Sequence, residues 1–396
     1  MVLIAARLPS VALHGRVWAE EGTVFMRNAI VLPWPQAIFN PVGGYLNIIA
    51  NLGGIVAGRL LQPEEARWVG PVTGLLFQAI PAILIVSSRL DWLRYRICLI
   101  AALLLIATVP LAEEVWLNSL HPQFHLTLCA ALILAMEPAR GWVGRFHLLL
   151  ILLGALCGPT TWFLLPLFVA RAVIDRSAPR AAQATVLAAG VALQVVFFFG
   201  AAETNHAPFN PAATVAAFFC KNLLLPTLDY RTADALSGAL RPMAAARTVP
   251  AAIAIAEAAF VLLGGVLLWL HGQRALFWMF AAAVLIAFLS YAAARGGAVD
   301  MMVLVAGNRY AFVPQVLFAL VLLGLAATGR GGLVWFARAG VVWLLVVGIL
   351  EFHDDSIRRS FFVGPSWMAE VSAWRSNPAH LVRILPDPWV VDLSPP

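Results

Sequence analysis

The feature that most limits what this chain can fold into is a series of apolar runs, most near the length of a bilayer-crossing helix, joined by short charged or turn-rich links. They fall at 70 to 87, 97 to 112, 123 to 136, 148 to 174, 181 to 201, 249 to 270, 275 to 294, 309 to 327 and 333 to 352. A helix needs about 20 apolar residues to cross the hydrocarbon core, because each residue advances it by only about 1.5 Å. A chain of 396 residues that is 62% hydrophobic and 12% charged is too apolar for a water-soluble globule. The pattern predicts an all-α fold, a polytopic integral membrane helical bundle.

The links set the expected orientation, because basic residues in short loops stay on the cytoplasmic side. Arg89, Arg94 and Arg96 mark one such loop, Arg140 with Arg145 a second, and Arg171, Arg176 and Arg180 a third. For the last two to share a side, 148 to 174 must cross twice. Gly158-Pro159-Thr160-Thr161 at its middle supplies the break, since proline removes a backbone donor and glycine loosens the helix. From there the 202 to 248 and 295 to 308 links face out, His271 to Arg274 and Arg330 to Arg338 face in, and the tail after His353 lies outside. This predicts about 10 to 11 spans, including one short-helix hairpin. They form a membrane domain over 1–352, with outer loops at 14–69 and 202–248, followed by a small extracytoplasmic segment over 353–396.

Met1 to Leu13 is apolar but carries Arg7 and Pro9 and is too short for a full span. It reads as a short first helix or as a start placed inside a longer one, without the cleavage pattern of a signal peptide. Between Tyr45 and Leu61, the residues Tyr45, Ile48, Ile49, Leu52, Ile55 and Val56 recur at helical spacing, with Asn47, Asn51, Gly54 and Gly58 on the other face. That predicts an interfacial or re-entrant helix on the outer side instead of a span. In the tail, Trp367, Val371 and Trp374 share a helical stripe ahead of the alternating stretch His380 to Leu393, which predicts a small outer cap or an amphipathic anchor.

Several classes of function drop out. Of the 26 basic residues only Lys221 is a lysine, and no basic run or aromatic-interleaved patch points to nucleic acid. Cys98, Cys129 and Cys157 lie in apolar stretches and Cys220 stands alone in a long link, so neither disulfide nor metal-ligand spacing appears. No internal repeat is evident, and nothing in the pattern sets the oligomeric state.

The residues that need a reason are two pairs of adjacent glutamates, Glu20-Glu21 and Glu113-Glu114, at the ends of apolar segments. Carboxylates are costly in hydrocarbon, so a membrane protein either leaves them in water or uses them. With Tyr45 to Leu61 not a span, both pairs fall on the outer side. Successive helical residues point in different directions, so one member of each pair is expected to face a site.

With Trp18-Ala19-Glu20-Glu21-Gly22 and Phe25 in the first outer loop, then Pro41-Val42-Gly43-Gly44-Tyr45-Leu46, the chain resembles the GT-C class of polyprenyl-phosphate-dependent glycosyltransferases. Glu113-Glu114, followed by Asn118, His121 and His125, sits where that class carries a second acid, and Gly307-Asn308-Arg309-Tyr310 is similar to the arginine-tyrosine start of a late helix. The resemblance covers the first third of the chain and this late motif. Missing from it are a complete first span and a large soluble outer domain.

The resemblance implies Glu20 as catalytic base, with Glu21 orienting it or binding acceptor. It implies substrate-binding roles for Glu113, Glu114, Asn118, His121, His125, Arg309, Tyr310 and Tyr45. Arg309 would grip phosphate through its planar guanidinium, against the competing reading of a headgroup anchor. Arg27 and Lys221 are secondary candidates. His121 and His125 are four residues apart with Pro122 between them, which favours polar lining over a metal site. No metal-ligand set is assigned, and a divalent metal is left open.

The implied partners are the lipid bilayer, a polyprenyl-phosphate-linked sugar as donor, and a glycan or lipid acceptor. The implied location is the bacterial cytoplasmic (inner) membrane, multi-pass, with the C-terminus outside. Two other readings stand beside it. A transporter or lipid flippase would use Gly158-Pro159 and the mid-run acid Glu257. An envelope polysaccharide polymerase or ligase would use Arg231, Arg241 and Arg247 of the long link.

Overall fold

The helix at Pro122–Ala135 is apolar on every side, and every one of its residues is buried, so it occupies the centre of the bundle. The computed structural model describes residues 1–200, 208–294, 296–353 and 363–395. The last residue of the 181–201 run, the first residues of the 202–248 link, Arg295 and residues 354–362 of the tail lie outside the described residues. Among those described, six helices are long and apolar enough to cross a membrane: Ala66–Ser87, Ala178–Phe199, Ala251–Leu270, Arg274–Ala292, Arg309–Thr328 and Gly332–Leu350. Shorter apolar helices at Arg96–Ala107 and Gly141–Leu156 pack beside them. The whole is an all-helical bundle compatible with a polytopic membrane protein.

Burial sorts the long helices. In its most apolar window Arg309–Thr328 is 72% buried, while Ala251–Leu270 is 11% buried and presents Ile255, Leu262, Leu263 and Leu270 outward. An exposed apolar face of that extent belongs in hydrocarbon, not water.

The central helix also defines the two ends of the bundle. A helix leaves its last four carbonyls without partners. Here Arg171 donates to Leu134 O, and Arg180 donates to Ile133 O at 3.3 Å and Met136 O at 2.5 Å, so two guanidinium groups close the C-terminal end and oppose its partial negative charge. Asp175 pairs with both arginines. The opposite end begins at His121.

The run 148 to 174 is broken where expected. Gly141–Leu156 is followed by Cys157 and then Gly158, whose φ of +153° is a conformation L side chains rarely adopt, and a Cβ there would collide with Gln123 Oε1. A 3-10 turn at Pro159–Leu164 leads into Leu165–Asp175. The polar groups released by the break find partners within the bundle. Thr127 Oγ1 bonds Thr160 and Thr161 at 2.9 and 2.7 Å, and Ala155 O accepts from Trp162 Nε1 and Gln194 Nε2.

Within Tyr45 to Leu61 the helix runs Ile48–Leu60, about 20 Å at 1.5 Å per residue, and is not among the six long enough to cross a membrane. On its small and polar face Asn47 lines the cavity described below, while the rest of that face packs on protein backbone. Asn51 Nδ2 donates to Ile38 O and Asn40 O, and Gly54 and Gly58 lie against the Phe25 and Met26 carbonyls. The small face thus serves to seat the first loop.

Ahead of it Pro41–Val42 and Tyr45–Leu46 form a two-stranded hairpin. Gly43 and Gly44 both have positive φ, as a two-residue primed turn requires. The tail folds as a cap on the first loop. Trp367–Ser376 and the hairpin Val382–Arg383 with Val390–Val391 enclose an apolar cluster of Trp367, Val371, Val382 and Ile384 with Val17, Met26 and Ala66. Leu385 bridges Trp18 in parallel, Arg27 pairs with Asp392 at 2.9 Å, and Arg375 grips Glu64 with two bonds of 3.1 Å.

Candidate active site

At the end of the bundle where the central helix starts, a cavity of about 660 Å³ opens between the first loop, the Gly-Gly hairpin, the 114–121 link, the start of the Arg309 helix and the tail. Glu20, Tyr45, Glu114, His121, Arg309 and Tyr310 all line it. Residues 289 positions apart in sequence therefore share one chamber, as the numbers of Glu20 and Arg309 show.

The two glutamate pairs divide in the same way. Glu20 lines the cavity, half-buried, and its side chain makes no hydrogen bond or ion pair with any described residue. Glu21 points the other way. Its Oε1 accepts from Ser119 N and Oγ at 2.5 and 2.7 Å, and its Oε2 accepts from Trp18 N at 2.9 Å. Gly70 is needed beside it, because a Cβ there would stand 2.6 Å from Oε1. Ala19, at φ +43°, turns the chain between the Leu385 pairing and these acids. A left-handed conformation at a non-glycine residue is strained, and here the surrounding hydrogen bonds hold it.

In the second pair Glu114 lines the cavity and forms an ion pair with Arg309, while Glu113 is buried against Arg7 at 2.9 Å. Arg7 also donates to Ala107 O and Val109 O at 2.7 and 2.6 Å, closing the end of the Arg96–Ala107 helix. That explains an arginine inside the first apolar stretch.

The roles expected for Glu21, Glu113, Asn118 and His125 change accordingly. None of the four lines the cavity. Asn118 spends its side chain on the link, accepting from Leu120 N and His121 N and donating to Glu114 O and Trp116 O. His125 bonds Val115 O at 3.1 Å and packs its ring on Trp116 and Phe312. These residues hold the cavity wall in place from behind. Lys221, a secondary candidate, likewise holds the loop before Arg309 through Leu304 O and Ala306 O, and Arg27 ties the tail.

Electrostatics separate the acids further. Burial raises the Glu21 carboxyl above its ordinary value, although Ser119, Arg16 and Trp18 all oppose it. For Glu114 burial also acts upward, but Arg309, His121 and Lys221 outweigh it and hold the group below its ordinary value. Burial pushes His121 down to about 4 against the pull of Glu114, so its ring is neutral at neutral pH. The cavity thus combines an unpaired carboxylate, a neutral imidazole and a guanidinium anchored by a carboxylate, with the Arg309 group also 5.1 Å from the Tyr310 ring centroid.

Several lining residues carried no such expectation. Trp389 and Pro386 reach the cavity from the tail, and Gln123, Thr160 and Trp162 from the central helix and the break. The alternating stretch His380 to Leu393 was the only sequence signal for the first two, and nothing in spacing linked it to Glu20. Glu257 lines neither this cavity nor the apolar one described next. It is 3% exposed, and both carboxylate oxygens lack a hydrogen-bond partner among the described residues.

The second large cavity, about 490 Å³, lies among Phe260, Phe318, Leu322, Phe336 and Trp343, and no carboxylate among the described residues lines it. No group of three or more His, Cys, Asp or Glu among the described residues is placed to hold a metal ion. No family model, curated protein or solved structure matches the chain.

Proposed function

We propose that the chain is a membrane glycosyltransferase of the GT-C kind, moving a sugar from a polyprenyl-phosphate carrier to a glycan or lipid acceptor of the cell envelope. The observation that carries this reading is Glu20, an unpaired carboxylate in the same chamber as the Arg309–Glu114 pair. A direct displacement needs those two poles. Glu20 takes the proton of the acceptor hydroxyl as its oxygen bonds to the anomeric carbon with inversion. The bond from that carbon to the phosphate oxygen breaks, and the lipid phosphate leaves with the electron pair. Arg309 stabilises the departing charge, and Glu114 fixes the guanidinium plane.

In this reading the cavity end faces the periplasm of the bacterial inner membrane and carries the C-terminal cap. Support comes from the arginines gathered at the opposite end, as expected of a cytoplasmic side. The span count of about 10 to 11 belongs to the same proposal.

The test is transfer in membranes containing the lipid-linked donor. Glu20→Gln is expected to lower kcat by about 10²–10⁴-fold, the usual contribution of a general base, with the protein still folded. Glu21→Gln is expected to lower thermal stability, because it disturbs a buried hydrogen-bond set. Unchanged transfer by Glu20→Gln overturns the assignment of the base. A polytopic transporter or lipid flippase is the second reading, and buried, unpartnered Glu257 is the observation that favours it. Translocation of the lipid-linked substrate with no transfer in the wild type would select that reading.

A further inference from the structure

On the far side of the Val17–Leu385 contact lies a separate cavity of about 230 Å³, lined by Ser10, His14, Arg16, Arg67, Ser366 and Arg383 among others. It belongs to no part of the proposed transfer chemistry. Its construction brings cations together. Gly15, at φ +68°, turns the chain so closely over the 3-10 turn Ala66–Trp68 that a Cβ would stand 2.7 Å from Arg67 O, and Arg16 N donates to the same oxygen at 2.9 Å. Two arginine-bearing segments therefore meet in a direct backbone hydrogen bond, and the tail roofs them with Pro365, Ser366 and Ile384.

Glu21, which does not line this cavity, acts on Arg16 electrostatically. No aspartate or glutamate lines the cavity among the described residues. Arg383 is occupied by Glu370 at 2.5 Å, and Arg16 is held by Trp116 O at 3.1 Å and by the Trp18 ring at 4.4 Å. Arg67 makes no ion pair with any described residue, and its Nε is buried without a hydrogen-bond partner. Ser10 Oγ is buried without a partner as well. A buried donor without a partner is costly, and an anion in the cavity would supply acceptors for both.

We infer that this cavity is an anion site taking a phosphate group, with Arg67 and Ser10 as its donors and Arg16 as the second positive wall. Guanidinium forks match phosphate oxygens in pairs, and a hydroxyl supplies a further donor. The chemistry is shared by free inorganic phosphate and by the phosphodiester of an anionic lipid headgroup. The site lies between the short helix Pro9–His14 and the tail, so occupancy would fasten the cap to the bundle.

The experiment uses the purified full-length chain in detergent with two probes. Thermal unfolding is followed during titration with inorganic phosphate, and retention of phosphatidylglycerol against phosphatidylcholine is read by native mass spectrometry. The wild type is expected to respond saturably to phosphate, or to retain phosphatidylglycerol selectively, and which of the two occurs identifies the source. Arg67→Gln is expected to weaken that response by on the order of tenfold, as loss of a charge-assisted hydrogen bond implies. Ser10→Ala gives the same comparison if Arg67→Gln does not fold. A wild type that responds to neither probe, or folded variants that match it, overturns the site. Both readouts are binding measurements, so they stand apart from the success or failure of the transfer assay.

Discussion

At the scale of single residues, adjacent identical acids have opposite fates. Glu20 and Glu114 line the cavity, while Glu21 and Glu113 are consumed by Ser119 and Arg7. The sequence makes it legible that the two members of each pair face different surroundings, because neighbours on a turn diverge. Which member does so depends on partners about a hundred positions away, at Ser119 for Glu21 and at Arg7 for Glu113.

His121 gives this scale a pH prediction. Its folded value lies near 4 against an ordinary 6.5, so between those values the unfolded chain binds a proton that the folded cavity refuses. Its contribution is present above about 6.5 and is lost as the pH falls toward 4. Glu114, held below its ordinary value, adds a loss of the same sign at lower pH. The melting temperature is expected to fall on acidification through this window, and His121→Gln is expected to flatten the fall. An unchanged slope in the variant would remove His121 as its source.

At the scale of elements, breaks and turns matter more than the long helices. The Gly-Gly hairpin delivers Tyr45 to the cavity, and the break at Gly158 delivers Thr160 and Trp162. The break was read from the sequence, since Gly-Pro is a backbone signal that acts locally, and the paired glycines of the hairpin carry a signal of the same kind. The use of the Asn-Gly face at Ile48–Leu60 was not readable. A small polar face fits water, a ligand or another backbone equally well, and only the Phe25 and Met26 carbonyls decide. Gly158→Ala is expected to destabilise by about 1–3 kcal/mol from backbone strain alone, with more from the collision with Gln123. Thermal unfolding in detergent measures it, and a variant as stable as the wild type would show that the break tolerates a side chain.

At the scale of the whole molecule, the bundle has two unlike ends. One gathers Arg171 and Arg180 around the end of the central helix, and the other holds both cavities with charged linings under the tail cap. The proposed orientation puts the second end outside. A cysteine placed at exposed Gln62 is expected to react with a membrane-impermeant thiol reagent from the outer side of intact cells, while Cys98, Cys129, Cys157 and Cys220 stay silent because all are buried. Labelling only after access to the inner side would invert the orientation.

What the sequence determined by itself was the class of fold, the positions of the long helices and the break at Gly158. Each follows from hydrophobic length, charge at the links or backbone freedom, which act within a few residues. What only the tertiary structure decided was the membership of the cavity: Glu20 in and Glu21 out, Arg309 on Glu114, Trp389 and Pro386 brought in by the tail. Those choices rest on hydrogen bonds and ion pairs between segments far apart in the chain. No local pattern encodes them, because each depends on where the bundle has already placed its partner.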